Sequence, residues 1–282
     1  MRLLRYGEKG QERPCVVYAD GAIRDVSKFV TDFAGETVSC DALDRLKTLD
    51  LADAPVLPAG GRIGSPLASV RNFYCIGLNY RKHAEETGAR PPVEPMLFNK
   101  AVNALSGPFD PVPYPRKSSS LDWEVEIGLV IGKTCRYIAK EDALLYVAGY
   151  FTANDISERD FQKSRGGQFV KGKSGTNFGP IGPYLVTADE VPDPNALGLT
   201  TKVNGDVMQN SNTSDMIFDV KTIISNLSQY LTLEVGDIIL TGTPEGVGLG
   251  IKPDPVFLKT GDVVEVEVEG LGAQRIEIGD AE

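Results

Sequence analysis

The stretch Asp122–Gly132, DWEVEIGLVIG, narrows most what this chain can fold into. Trp123, Val125, Ile127, Leu129 and Ile131 recur at every second residue, the period of a β-strand with one apolar face. The same period sends Glu124 and Glu126 side by side to the opposite face. Two like charges held together invite a cation. Asp155, in GYFTANDISERDFQ, arrives after a further apolar run. Three carboxylates supplied by separate segments make an all-oxygen site of the kind that suits Mg²⁺ or Mn²⁺. Glu265, Glu267 and Glu269 in DVVEVEVEG alternate in the same way, and there the expectation is a face turned to water. Spacing alone leaves the cation site and the solvated face both open for Glu124 and Glu126.

With 282 residues the chain can bury a sizeable core. A formal charge of −10 argues against nucleic acid or an anionic membrane as the main partner. Cys15, Cys40, Cys75 and Cys135 are scattered without a CxxC pair, as expected of buried free thiols in a reducing compartment. The first residues, MRLLRYGEKG, hold no sustained apolar stretch, and no later apolar run is long enough to span a bilayer. The expected location is the cytoplasm.

LLRY and CVVYADG read as hairpin strands with a turn at Asp20-Gly21, and ALDRLKTL carries a weak helical signal. The Gly- and Pro-rich stretch 54–67 separates a small N-terminal domain, 1–68, from a chemistry-bearing part, 69–282. There RNFYCIGLNY reads as a strand entering a loop, RKHAEETG as a short helix ended by Gly88, and LFNK as a strand. EDALLYVAGYFTANDI suggests a helix and then a strand. Residues 159–183 are polar, glycine-rich and irregular, a length of loop that calls for a functional reason. Asn204-Gly205 marks a hairpin turn, and Asp215 is placed as the cap of a helix carrying Ile217, Val220, Ile223, Ile224, Leu227 and Leu231. Strands outnumber helices and lack regular crossover helices, so the expected class is α+β, mostly β, and not a doubly wound parallel sheet.

Gly167–Ser174, GQFVKGKS, matches the GxxxxGK[ST] phosphate loop letter for letter. That loop needs a buried strand before it and a helix after it. SERDFQKSRG and GTNFGPIGP supply neither, so the nucleotide reading is set aside. His83 is the only histidine, and hence the only side chain whose ordinary pKa suits proton transfer near neutrality. Glu86, three residues on, shares a helical face with it and can orient the ring.

Taken together, GLNYRKHAEE, DWEVEIGLVIGK, GYFTANDISERDFQ, GKSGTNFGPIGP and TGTPEGVGLG resemble, in order, the motifs of the fumarylacetoacetate hydrolase family across residues 70 to 275. The resemblance implies a mixed β-roll catalytic domain and a homodimer. It implies Glu124, Glu126 and Asp155 as ligands of Mg²⁺ or Mn²⁺, and His83 with Glu86 as the water-activating pair on a mobile lid helix. Lys173 matches the lysine that offsets developing negative charge. Arg159, Gln162 and Thr243 match substrate-contacting positions. Gly175 and Asn177 depart from the family's usual acidic and larger residues there. SSSLDWEVEIGLVIG, RGGQFVKGKS and TGTPEGVGLG most resemble the branch that includes 2,4-diketo-3-deoxy-L-rhamnonate hydrolases. The implied substrate is a small 2,4-diketo acid, with pyruvate as a product and Lys163–Gln168 as candidate contacts to its tail. Acylpyruvate hydrolysis, oxaloacetate decarboxylation and a non-catalytic structural or regulatory role are the alternatives.

Overall fold

The computed structural model describes residues 1–281. A ten-stranded sheet runs in the order Ile23–Asp25, Arg13–Val17, Arg2–Tyr6, Leu185–Thr187, Val147–Asn154, Val125–Ile131, Ile238–Leu240, Phe73–Gly77, Met96–Asn99, with Ile63–Gly64 beside Arg2–Tyr6. Its neighbours are antiparallel except Ile238–Leu240 and Phe73–Gly77. A five-stranded sheet orders Asp206–Asn212, Gly198–Val203, Val263–Val268, Gly272–Gly279 and Val112–Pro113. The architecture is α+β and dominated by strands, as expected.

The central strand Val125–Ile131 is buried on both faces. Val125, Ile127, Leu129 and Ile131 pack with Val264, Val266, Val268 and Ile276 of the smaller sheet. On the other face Val130 joins a second cluster with Phe73, Cys75, Ile238 and N-terminal Leu3, Val16, Phe33 and Leu43. The glutamate face is therefore no wet surface. By contrast, Glu267 and Glu269 on and just after the smaller sheet's strand are exposed and Glu265 is half-buried, as their alternation suggested.

Local signals set most element ends. Asn204 and Gly205 both take positive φ (53° and 91°), the requirement of a two-residue hairpin turn. Gly88 closes the Arg81–Thr87 helix in the left-handed region at φ 68°. Asp215 does not cap the later helix. That helix is Val220–Tyr230, and Asp219 caps it by accepting from the Thr222 amide at 2.7 Å. Asp215 closes a separate short turn, because Met216 leaves it extended and bridged to Tyr80, and the Ile217 N–H bonds the Asn79 carbonyl. Within 159–183, two short helices, Arg159–Lys163 and Val170–Lys173, interrupt the expected irregular chain. No helix among the described residues is long and apolar enough to cross a membrane.

Candidate metal centre and active site

Strand register builds the carboxylate cluster. Val125 pairs with Asn154 across the antiparallel ladder, and one step further places Asp155 opposite Glu124. The Asp155 amide donates to the Glu124 carbonyl at 2.9 Å, and the Glu124 amide donates to Asn154 Oδ1 at 2.9 Å. Glu126 accepts from the Gly242 amide at 2.6 Å, beyond the end of Ile238–Leu240. One oxygen from each of Glu124, Glu126 and Asp155 lies within 4.8 Å of the others, and all three side chains are buried.

Charge around this cluster is unevenly matched. Lys173 Nζ bridges Glu124 Oε2 (2.7 Å) and Asp155 Oδ2 (2.6 Å). Arg159 Nη2 lies 2.7 Å from Glu124 Oε1, and its Nε donates to Asp122 Oδ2 at 2.8 Å. Lys100 Nζ pairs with Asp155 Oδ1. Among the described residues no lysine or arginine is ion-paired with Glu126. Burial, reinforced by the charges of Asp155 and Glu124, raises the Glu126 carboxyl well above its ordinary range. Burial would also raise Glu124, but Lys173 and Arg159 outweigh it and hold that carboxyl low. Burial works against the Lys173 ammonium, yet Asp155 and Glu124 lift it to about 12. A buried carboxylate without a counter-charge, beside two more, is the donor set that a hard divalent cation neutralises. The three residues fit such an ion.

These groups face a cavity of about 160 Å³ whose walls include His83, Glu124, Glu126, Arg159, Gln162, Lys173 and Thr243. His83 Nδ1 lies 2.7 Å from Glu86 Oε1 on the Arg81–Thr87 helix, and Glu86 Oε2 accepts from the Gly246 amide at 2.9 Å. Thr243 Oγ1 accepts from Gln209 Nε2 at 2.8 Å. Seven of the nine singled-out residues line this space, Glu86 is tied to it through His83, and Asp155 through Lys173. Of Lys163–Gln168 only Lys163 lines it, and Arg165 turns outward to Asp160. Phe98 and Phe169, 5.4 Å apart edge to face, join Met96 as the apolar wall.

The phosphate-loop match has no phosphate-loop geometry. Its helix, Val170–Lys173, is four residues long, a short helix precedes it, and Lys173 is spent on carboxylates. At the two departures from the family pattern, Asn177 takes φ 59° and donates to the Pro111 carbonyl, while a Cβ on Gly175 would meet the Phe178 ring at 2.7 Å.

Three contributors were not singled out from the sequence. Lys100 is buried behind Asp155. Asp122 accepts from the amides of Trp123, Gly248 and Leu249 as well as from Arg159. Gln209 accepts from the Val125 amide and donates to Thr243. Asp122, in the short strand Leu121–Asp122 that pairs with Ser157–Glu158 just before the glutamate strand, was the one with a visible signal.

A sequence profile of the fumarylacetoacetate (FAA) hydrolase C-terminal family matches residues 72–278. This chain belongs to that family. A presumed hydrolase of Burkholderia lata is 51% identical over 274 residues, 97% of each chain. The solved fumarylacetoacetate hydrolase of psychrophilic Exiguobacterium antarcticum is 38% identical at TM-score 0.86, covering 99% of both chains. Maleylpyruvate hydrolase from Sphingobium sp. SYK-6, solved in complex with manganese(II) and pyruvate, is 30% identical at TM-score 0.82 over 100% of both. Family membership together with the carboxylate cluster supports metal-assisted hydrolase or isomerase chemistry on small organic acids.

Proposed function

We propose that this protein is a divalent-cation-dependent hydrolase that cleaves the C3–C4 bond of a 2,4-diketo acid and releases pyruvate. The observation that carries this reading is one small cavity with a histidine–carboxylate pair on one side and the three-carboxylate cluster with Lys173 on another. The Sphingobium relative, solved with manganese and pyruvate, supports the same reading.

Glu124, Glu126 and Asp155 would hold Mg²⁺ or Mn²⁺, which when bound supplies Lewis acidity toward a carbonyl oxygen and offsets developing negative charge. His83, its Nδ1 directed at Glu86, presents Nε2 as a base and takes a proton from water as the oxygen adds to C4. Collapse of that adduct breaks C3–C4, and the electron pair passes to C3 and into the C2 oxygen. The Lys173 ammonium lies beside the carboxylates to offset that charge. C3 then takes the proton, leaving pyruvate and the carboxylic acid of the other half. Arg159, Gln162 and Thr243 orient the substrate.

The finer reading is 2,4-diketo-3-deoxy-L-rhamnonate, giving pyruvate and L-lactate. Beyond C4 its tail is one hydroxyl-bearing carbon and a methyl group. Met96, Phe98 and Phe169 offer apolar surface for the methyl, and Gln162 and Lys163 offer donors for the hydroxyl. The cavity lies below the roughly 300–1,000 Å³ of drug-sized pockets, which favours a short acid. The working form is a homodimer, as the family resemblance implies.

Pyruvate release from 2,4-diketo-3-deoxy-L-rhamnonate, acetylpyruvate and oxaloacetate, with and without EDTA, tests this. The rhamnonate derivative should show the highest kcat/KM, and EDTA should abolish turnover. Equal turnover of acetylpyruvate reassigns the protein to simple acylpyruvates, and dominant CO₂ release from oxaloacetate reassigns it to decarboxylation. A folded, Mn²⁺-loaded protein inert toward all three is a non-catalytic relative.

A further inference from the structure

Lys100 directly follows the strand Met96–Asn99, and its side chain is fully buried. A buried ammonium is costly unless it is both paired and hydrogen-bonded. Here the carboxylate is Asp155, through Oδ1, and the second acceptor is the Ile156 carbonyl at 3.1 Å. The backbone pins it further: Lys100 N–H donates to the Phe73 carbonyl, and the next amide, Ala101, donates to Ser174 Oγ, adjacent to Lys173. The two lysines divide Asp155 between them, Lys100 on Oδ1 and Lys173 on Oδ2. They differ in place, since Lys173 lines the cavity and Lys100 does not.

We infer that Lys100 is a positioning residue that occupies one Asp155 oxygen from behind the cluster and so limits Asp155 to single-oxygen ligation. This rests on the reading of Glu124, Glu126 and Asp155 as a cation site. The physical consequence is selectivity. Ca²⁺ takes 6–8 oxygens and readily uses carboxylates bidentately, whereas Mg²⁺ demands near-octahedral geometry with shorter bonds. A carboxylate with one oxygen permanently engaged favours the smaller ions. Lys173 differs in that its ammonium bridges two of the three carboxylates, Glu124 and Asp155, whereas among them Lys100 engages Asp155 alone.

Dissociation constants for Mn²⁺, Mg²⁺ and Ca²⁺, measured by calorimetry and by Mn²⁺ competition, decide the matter without any turnover assay. The wild-type protein should prefer Mg²⁺ to Ca²⁺. Lys100→Met should weaken Mn²⁺ and Mg²⁺ about 10–100-fold, the usual scale for losing a group that orients a ligand. Ca²⁺ should weaken less, so that the Mg²⁺/Ca²⁺ ratio falls. Lys100→Gln, which keeps a donor for the Ile156 carbonyl but not the charge, should behave alike if the methionine variant is unstable. Wild-type Mn²⁺ affinity in either folded variant overturns the inference, as does an equal loss for all three ions. A wild-type preference for Ca²⁺ overturns it with no variant needed. No binding of any ion by the wild-type protein would instead sink the metal site on which the inference stands.

Discussion

Burial sets Glu126 against carrying a charge, with one backbone amide for support, and that has a measurable consequence for stability. Its carboxyl is raised in the folded protein, so the folded state keeps a proton that the unfolded state has released. Stability from this group is therefore lost as pH rises above the unfolded carboxylate value of about 4.3. In EDTA, Glu126→Gln should be more heat-stable than wild type, by a margin that widens from pH 5 to pH 8. Mn²⁺ should erase that margin by stabilising the wild type alone. A margin independent of pH would show that Glu126 is not the strained charge. Glu124→Gln and Asp155→Asn should likewise weaken Mn²⁺ binding, while Glu267→Gln, on the exposed face, should not. His83→Ala should lower kcat by roughly 10²–10⁴-fold with Mn²⁺ affinity retained, and near-normal turnover would end the general-base assignment. At this scale the sequence was informative where chemistry and period coincided. Two glutamates on one strand face and a single histidine three residues from a glutamate can be read directly. Lys100 could not, because a lysine just past a short strand looks like a surface residue until the fold shows what lies behind it.

Between elements, the Arg81–Thr87 helix and the turn after Ile238–Leu240 act on each other through Glu86. That carboxylate joins His83 on its own helix to the Gly246 amide in the turn. Gly250 gives it room, since a Cβ there would sit 2.5 Å from the Glu86 carboxylate. The obstructed atom is the far end of a flexible side chain, so the carboxylate yields and the backbone does not. Gly250→Ala should then lower kcat by about the same factor as Glu86→Gln, with the melting temperature little changed. The double variant should be no worse than either single one, because both break the same contact. Losses that multiply would show that Gly250 acts elsewhere. The short helix and its glycine stop were readable from local signals, and so was the strand that empties into the glycine turn. That the turn receives the helix was not, because the two lie some 160 residues apart and neither carries a mark of the other. Asp215 failed as a cap for a related reason: a capping residue four positions on, Asp219, was available, and the residues between are tied to Tyr80 and Asn79 instead of entering the helix.

Across the whole molecule, the Gly- and Pro-rich stretch 54–67 suggested a joint, while the hydrogen bonds run straight past it. Arg2–Tyr6 pairs with Leu185–Thr187, so the first strands extend the same sheet that carries Glu126. Leu3, Val16, Phe33 and Leu43 share one apolar cluster with Phe73, Val130, Phe151 and Ile238. Cys40 N–H bonds the Gly132 carbonyl at the far end of the glutamate strand, and a Cβ on Gly132 would meet Cys40 Sγ at 2.6 Å. A pattern of alternation announces a strand but not its partner, and here the partner of residue 2 is residue 186. Removing residues 1–68 would strip the cover from one face of Val125–Ile131 and leave Leu185–Thr187 as an unpaired edge, a template for aggregation. The fragment 69–282 should therefore be poorly soluble or lack a cooperative thermal transition, and the full chain should melt in a single step. The site should fail with it, because Glu126, Gly128 and Val130 share the face that the N-terminal residues seal at its other end. A monodisperse fragment that melts cooperatively and binds Mn²⁺ with full-length affinity would show that the two parts fold independently and that the shared sheet is incidental to the site.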